Sequence, residues 1–385
     1  MKRVAPHVVY ALAVLVGCDQ VFNLTRPPAR DDAMTNNDAV DASPGTCDLG
    51  PAGPAVPIQA KGVALVAGTF DSGDTIDLAI ARNGFSTVLL QRNVNGDFTP
   101  AVVDVGSPIV GLAPGAINND TLDDIAVLTE STAGALLQTA SSWDSRVVAT
   151  IATPRSISIA SFDGVGLADL LVTFPASEFM QIFFGDASMY TTVGGSIPTT
   201  GQTIVAAIAV DVDDDGDQDI VAAVENQNGI GIYFDDGPSF MNNGVIATGS
   251  KPSMLAAGRL GDRAVVDLVV LNADSGDLTV VRNGGAGNFA TMDNIAIGEG
   301  PMGLTLVDMN ADLFPDILAV SNKESRLSVL RGTATGFELP RDYTTVAKPV
   351  ALAVGDVTGD GRFDVAVLGE DDGFVIHPTV CSSMP

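Results

Sequence analysis

One short motif, an aspartate followed by an apolar run, constrains this chain more than any other feature because it recurs seven times. Asp77 opens "DLAIA", Asp124 "DIAVL", Asp169 "DLLVT", Asp219 "DIVAA", Asp267 "DLVVL", Asp316 "DILAV" and Asp364 "DVAVL". The spacings are 47, 45, 50, 48, 49 and 48 residues. A steady period near 48 marks a repeat architecture, in which each unit buries its apolar face against its neighbours. Seven units of this size fill residues 48–381 with nothing left over.

Every unit has the same internal order. A small-and-aliphatic run such as "PMGLTLVDM" (301–309) or "KPVALAVGDV" (348–357) comes first, and an acidic turn follows it. Next come the Asp-led run, a third apolar run such as "LTVVRNG" (278–284) or "LSVLRG" (327–332), and a Gly-Phe signal at Phe98, Phe289 or Phe337 that leads into a fourth stretch. Short β-branched runs bounded by Gly, Asn and Asp read as strands, and four per unit at this length make a propeller blade. Helical periodicity is absent. The expected fold is therefore all-β, a seven-bladed β-propeller of four-stranded blades. The last unit supplies only three strands, while "GPAVPIQA" (53–60) precedes the first unit without a partner. The economical closure has this N-terminal stretch complete blade 7 as its outermost strand.

Composition agrees with a packed body whose acid lies in turns. The 385 residues are 46% hydrophobic, a globular content, yet carry a net charge of −28. With 19 Lys+Arg against 47 Asp+Glu, nucleic acid and anionic surfaces are poor partners for the body, and cations or basic surfaces are better ones. The N-terminus has the form of an export signal: Lys2 and Arg3 precede an apolar run, Val8 to Val16, too short to span a bilayer. It ends in "LVGC", which resembles a bacterial lipobox and implies cleavage before Cys18 and lipid on its sulfur. The expected domains are a signal peptide (1–17), a lipidated Cys18 with a polar tether (18–47), the propeller (48–381) and a tail (382–385). This places the chain at a bacterial cell envelope, held to the membrane by its lipid alone. The two remaining cysteines, Cys47 and Cys381, flank the body. Export to an oxidising compartment makes a disulfide between them the expectation, with two separate thiols as the alternative.

The pattern Asp-x-Asp-x-Asp-Gly-x-x-Asp-Ile, best kept in "DVDDDGDQDI" (211–220), with its upstream small-residue strand and downstream Gly-Phe, resembles the FG-GAP/VCBS repeat of integrin α-chain propellers. The resemblance covers about residues 50–380 and implies calcium in some loops between a blade's first and second strands. Alternate oxygens in a tight acidic turn can converge on a hard cation, which takes six to eight oxygen ligands. In the fourth copy the set is Asp211, Asp213, Asp215 and Asp219, with Gly216 for the turn and the Asp217 carbonyl as a further ligand. The sixth gives Asp308, Asn310, Asp312 and Asp316, with Leu313 where glycine is expected. The seventh gives Asp356, Thr358, Asp360 and Asp364. The second keeps Asn118, Asp120 and Asp124 but has Ala116 first, which makes any site there weak. The others do without metal, for Gly73, Val165, Arg259 and Arg263 stand at ligand positions, and an arginine there can replace the cation's charge.

Catalytic signatures are missing from this residue set. Of two histidines, His7 lies in the signal and His377 in the final strand of the last blade, where a structural role is expected. Ser-His-Asp, Cys-His and zinc arrangements are excluded on that count. One Trp and four Tyr weigh against a lectin, and Trp143 is expected to pack between blades. The functional expectation is a monomeric, calcium-binding, non-catalytic scaffold or adhesion module for a protein or glycan. A propeller-based polysaccharide lyase or hydrolase and a structural envelope component are the alternatives.

Overall fold

The computed structural model describes residues 47–381 except 72, 74, 95, 119, 140, 141, 150–152, 186–189, 192–194, 238, 263 and 372. The expected signal peptide, Cys18, the tether up to residue 46 and the tail 382–385 lie outside the described residues, as does Arg263.

Seven antiparallel sheets form the seven expected blades. Their innermost strands are Gly62–Gly68, Ile109–Gly115, Ser156–Ala160, Ile204–Val210, Pro252–Gly258, Pro301–Val307 and Pro349–Gly355. Each second strand begins at a repeat aspartate, from Asp77–Arg82 in blade 1 to Asp364–Gly369 in blade 7. These runs are apolar along their whole length because both sheet faces are covered by neighbouring blades. Ile204–Val210 and Asp219–Val224 are buried at every position. Inner strands pack in cyclic order, and Gly62–Gly68 lies against both Ile109–Gly115 and Pro349–Gly355. Small residues permit that approach: a Cβ on Gly355 would sit 2.6 Å from the Ile76 side chain of blade 1. Trp143, on the outer strand of blade 2, packs against Phe70 of blade 1, with ring centroids 6.1 Å apart, as expected of an inter-blade residue.

Blade 7 is completed by the N-terminus, with one displacement from expectation. Its own strands stop at Phe374–His377 and Thr379–Cys381. Cys47–Leu49 pairs with Thr379–Cys381, Gly50 N–H donates to Pro378 O (2.7 Å), Gly53 N–H to Ile376 O (2.9 Å), and Val56 bridges Phe374. The outer strand thus runs over 47–56 rather than 53–60. Pro51, Pro54 and Pro57 have no N–H to give, so the pairing falls on the residues between them. The Cys47–Cys381 disulfide is present. Asp48 is held by Arg341 (2.9 Å) and by the Tyr343 hydroxyl, both from blade 6. His377 is fully buried, with Nδ1 3.2 Å from Gly50 O and Nε2 3.0 Å from the Thr345 hydroxyl, so it serves the closure as a structural residue.

Candidate metal-binding loops

The last residue of every inner strand faces its repeat aspartate, from Gly68 opposite Asp77 to Gly355 opposite Asp364. The intervening loop is eight residues long in all seven blades. The repeat aspartates are the fixed points of these loops. All seven are at most 1% exposed. In blade 4, one Asp219 oxygen accepts Val212 N–H (2.9 Å) from the loop and the other accepts Asp235 N–H (2.9 Å) from the end of the third strand. Asp316 does the same with Met309 (3.1 Å) and Gly332 (2.7 Å), and Asp364 with Thr358 (2.8 Å) and Thr379 (3.0 Å). The motif's closing aspartate is therefore a latch between loop and sheet. Burial outweighs these hydrogen bonds in its ionisation, pushing Asp77, Asp124, Asp169 and Asp219 up to about 6 and Asp316 up to about 7.

Within the loops, the first acidic residue wraps its own backbone. Asp211 accepts N–H bonds from Asp214 (2.7 Å) and Gly216 (3.0 Å), Asp308 from Asp312 and Leu313, and Asp356 from Gly359, Asp360 and Gly361. The turn needs a left-handed residue, which Gly216 (φ 98°) and Gly361 (φ 81°) supply without strain. Leu313 takes the same conformation at φ 74°, so the missing glycine changes the strain and leaves the turn in place.

In blade 4 the three alternating carboxylates meet. One oxygen each from Asp211, Asp213 and Asp215 lies within 4.8 Å of the others. Among the described residues no other trio of His, Cys, Asp or Glu comes together in this way. Asp213 Oδ1 is buried without a hydrogen-bond partner, and burial together with Asp215 and Asp211 raises the Asp213 pKa. An all-oxygen set with an orphaned carboxylate oxygen fits a hard divalent cation. The buried Asp219 lies outside the trio, and Asp217 is exposed with its N–H on Asp215 (3.0 Å).

The other candidate loops have competitors. In blade 7 Arg362 holds Asp360 at 3.0 Å. In blade 6 Asn310 donates to Asp312 (2.9 Å), and Arg331 reaches to 3.8 Å from Asp316. In blade 2 Asn118 and Asp120 cap their own turn, Asn118 accepting Asp120 N–H and Asp120 accepting Leu122 N–H. In blade 5 the sequence points inside the loop, to Arg259 and to Arg263, which lies outside the described residues, whereas an arginine from outside the loop, Arg282 at the end of the third strand, reaches the latch. Its Nη1 donates to Asp267 (2.7 Å) and to Leu260 O (3.0 Å), while Arg259 is exposed. Arg92, Arg282 and Arg331 all stand fifteen residues after a repeat aspartate. The recurring "RN" or "RG" after the third apolar run was the signal for them. Blade 4 has Phe234 there.

The FG-GAP-like repeat family model matches residues 308–367, from the acidic loop of blade 6 into the second strand of blade 7. No curated protein matches the chain. Among solved structures the chain is similar to BBS1N in complex with ARL6DN, at 10% identity and a TM-score of 0.65, covering 88% of this chain and 98% of that one. It is also similar to virginiamycin B lyase from Staphylococcus aureus, at 11% identity and a TM-score of 0.59, covering 87% and 100%. A functionally unknown protein from Desulfotomaculum acetoxidans DSM 771 follows at 13% and 0.54, covering 80% and 90%. At these identities the likeness is one of fold.

Proposed function

We propose that this chain, a seven-bladed β-propeller carrying an FG-GAP-like repeat, works as a non-catalytic binding module tethered to a bacterial envelope by lipid on Cys18 and stiffened by calcium. The observation that carries the non-catalytic reading is the make-up of the ring's interior. The seven innermost strands consist of Gly, Ala, Val, Leu, Ile, Met, Pro, Ser and Thr, so their few hydroxyls have no acid, base, amine, thiol or imidazole on those strands to activate them. The latch aspartates sit at blade ends, where backbone N–H groups of the loop and of the third strand already hold them. BBS1N supports the reading by analogy of fold, since it was crystallised in complex with ARL6DN; virginiamycin B lyase shows that fold by itself does not decide.

Calcium would be held by Asp211, Asp213 and Asp215 and would supply charge neutralisation and loop rigidity. The ring also gives the tether a direction. Cys47 pairs with Cys381, next to Thr379, whose N–H binds the latch Asp364 of an acidic loop. The chain therefore enters the ring at the acidic-loop face. The test has two arms. Lipid labelling of the intact protein is expected and is lost in Cys18→Ser. Envelope extract passed over the propeller with calcium or chelator is expected to yield a partner, retained by a Cys18→Ser protein. Turnover of envelope polysaccharide by the purified protein would overturn the non-catalytic reading.

A further inference from the structure

The acidic loop of blade 4 is built by two blades. Val212, between the first two carboxylates of the trio, is held through both of its backbone polar groups, one on each flanking peptide unit. Its N–H donates to Asp219 of the same blade (2.9 Å), and its carbonyl accepts Nδ2–H of Asn283 from blade 5 (2.7 Å). Asn283 is 1% exposed and is itself fixed. Its backbone N–H donates to the blade 5 latch, Asp267 (2.8 Å), and its Oδ1 accepts Gly285 N–H (2.9 Å). The hairpin that follows it, 284–288, passes over the acidic loop so closely that a Cβ on Gly287 would lie 2.5 Å from the Phe234 ring and 3.5 Å from Asp213 Cβ. A side chain cannot be added there without moving the wall of the site, and φ of 65° at Gly287 favours glycine as well.

The same staple is present at the boundary of blades 1 and 7. Asn93 of blade 1 donates to Val357 O of blade 7 (2.7 Å), again the residue after the first loop aspartate. In blade 7 the corresponding residue is Thr379, whose hydroxyl turns to Phe363 O of its own blade.

We propose that Asn283 is a positioning residue for cation binding in blade 4, so that occupancy of the Asp211–Asp213–Asp215 trio and order in the blade 5 hairpin 284–288 are coupled across the blade boundary. This rests on the reading that the loop takes a divalent cation. The physical reason is that rotation of the Val212–Asp213 peptide unit swings Asp213 away from Asp211, and Asn283 holds the carbonyl of that unit against the rotation. Partners that orient ligands from outside the coordination sphere are typically worth about 10- to 100-fold in metal affinity. Coupling of two sites is reciprocal, so the cation must order the hairpin as much as the hairpin favours the cation.

Calorimetric titration of the purified protein with calcium chloride tests this. Asp213→Asn is expected to remove the tightest binding event, Asn283→Ala to weaken it about tenfold or more, and Asn93→Ala to leave it where it is. If Asp213→Asn abolishes an event that Asn283→Ala leaves unchanged, the coupling is wrong and the cation site stands. If the unmutated protein shows no calcium event, the cation reading itself falls. Should Asn283→Ala fail to fold, hydrogen exchange on the unmutated protein decides. Calcium is then expected to protect amides 212–217 and 284–288 together, with the blade 5 turn Ala273–Gly276 unchanged. Protection confined to 212–217 overturns the proposal.

Discussion

Blades 4 and 5 are neighbours in sequence and in the ring, have loops of equal length and latch them with equivalent buried aspartates, yet balance those aspartates in opposite ways. In blade 5 the balance is covalently built in: Arg282 reaches from the third strand to Asp267, with its side chain 11% exposed. In blade 4 the equivalent position is Phe234, and the charge problem is left to three loop carboxylates that can share an external cation. One blade carries a cation in its own sequence; on the proposed reading the other depends on external supply. The difference teaches that equivalent buried latches tolerate different surroundings, with an arginine beside one and a cluster of carboxylates beside the other.

The sharpest break of the comparison is to remove the built-in cation. Arg282→Ala removes the ion pair of Asp267, which is 0% exposed, and leaves its charge to backbone N–H groups such as that of Asn283; breaking such a buried pair costs about 3–5 kcal/mol. A large fall in the urea midpoint is expected, partly restored when Asp267→Asn is added, because the uncompensated charge then goes too. Calcium should rescue neither variant, since the described residues of blade 5 bring no trio of carboxylates together.

The second break exchanges solutions. Calcium at a hundredfold excess over its dissociation constant should stabilise the protein by about 2.7 kcal/mol through mass action, with chelator reversing it. Phe234→Arg, which imports the arginine of blade 5, should abolish most of that calcium response without abolishing folding. A melting temperature that ignores both calcium and chelator in the unmutated protein would sink the supply side of the comparison.

A third measurement uses blade 3, which has Phe184 at the arginine position and Val165 in place of a loop ligand. Burial lifts its latch, Asp169, from 3.8 to about 6. The folded state then holds a proton that the unfolded state has released. This contribution to stability is greatest below about pH 4 and is lost as pH rises to about 6. Asp169→Asn should flatten that part of the profile, measured in chelator. A profile that rises over the same window would show that another group dominates.

Much of this was legible beforehand because a propeller writes itself in period and alternation. Seven Asp-led runs fixed the blade count, and an unpartnered N-terminal stretch with flanking cysteines fixed the closure. Three things were hidden by sequence distance. The latch role of Asp219 depends on Asp235, sixteen residues on, whose N–H arrives only when the third strand returns. Arg282 acts fifteen residues from its aspartate for the same reason, so attention to residues inside the loop pointed to Arg259. The start of the closing strand at Cys47 was hidden likewise, because it is set by pairing with Thr379–Cys381 at the far end of the chain.

The smallest expected effect tests whether the loops share one backbone regardless of which solution they use. Leu313 in blade 6 stands where blade 4 has Gly216, adopts φ 74° and is 85% exposed, so its side chain contributes little packing to offset the strain. A left-handed conformation costs a residue with a Cβ roughly 1–2 kcal/mol relative to glycine, against which glycine loses somewhat more backbone entropy on folding. Leu313→Gly should therefore gain about 1 kcal/mol or a little less, and Gly216→Ala should lose a similar amount. If the turn is common to both loops, the two substitutions shift the melting curve in opposite directions by like amounts. If Leu313→Gly destabilises instead, the blade 6 turn draws on contacts of that leucine, and its loop is a different structure from that of blade 4.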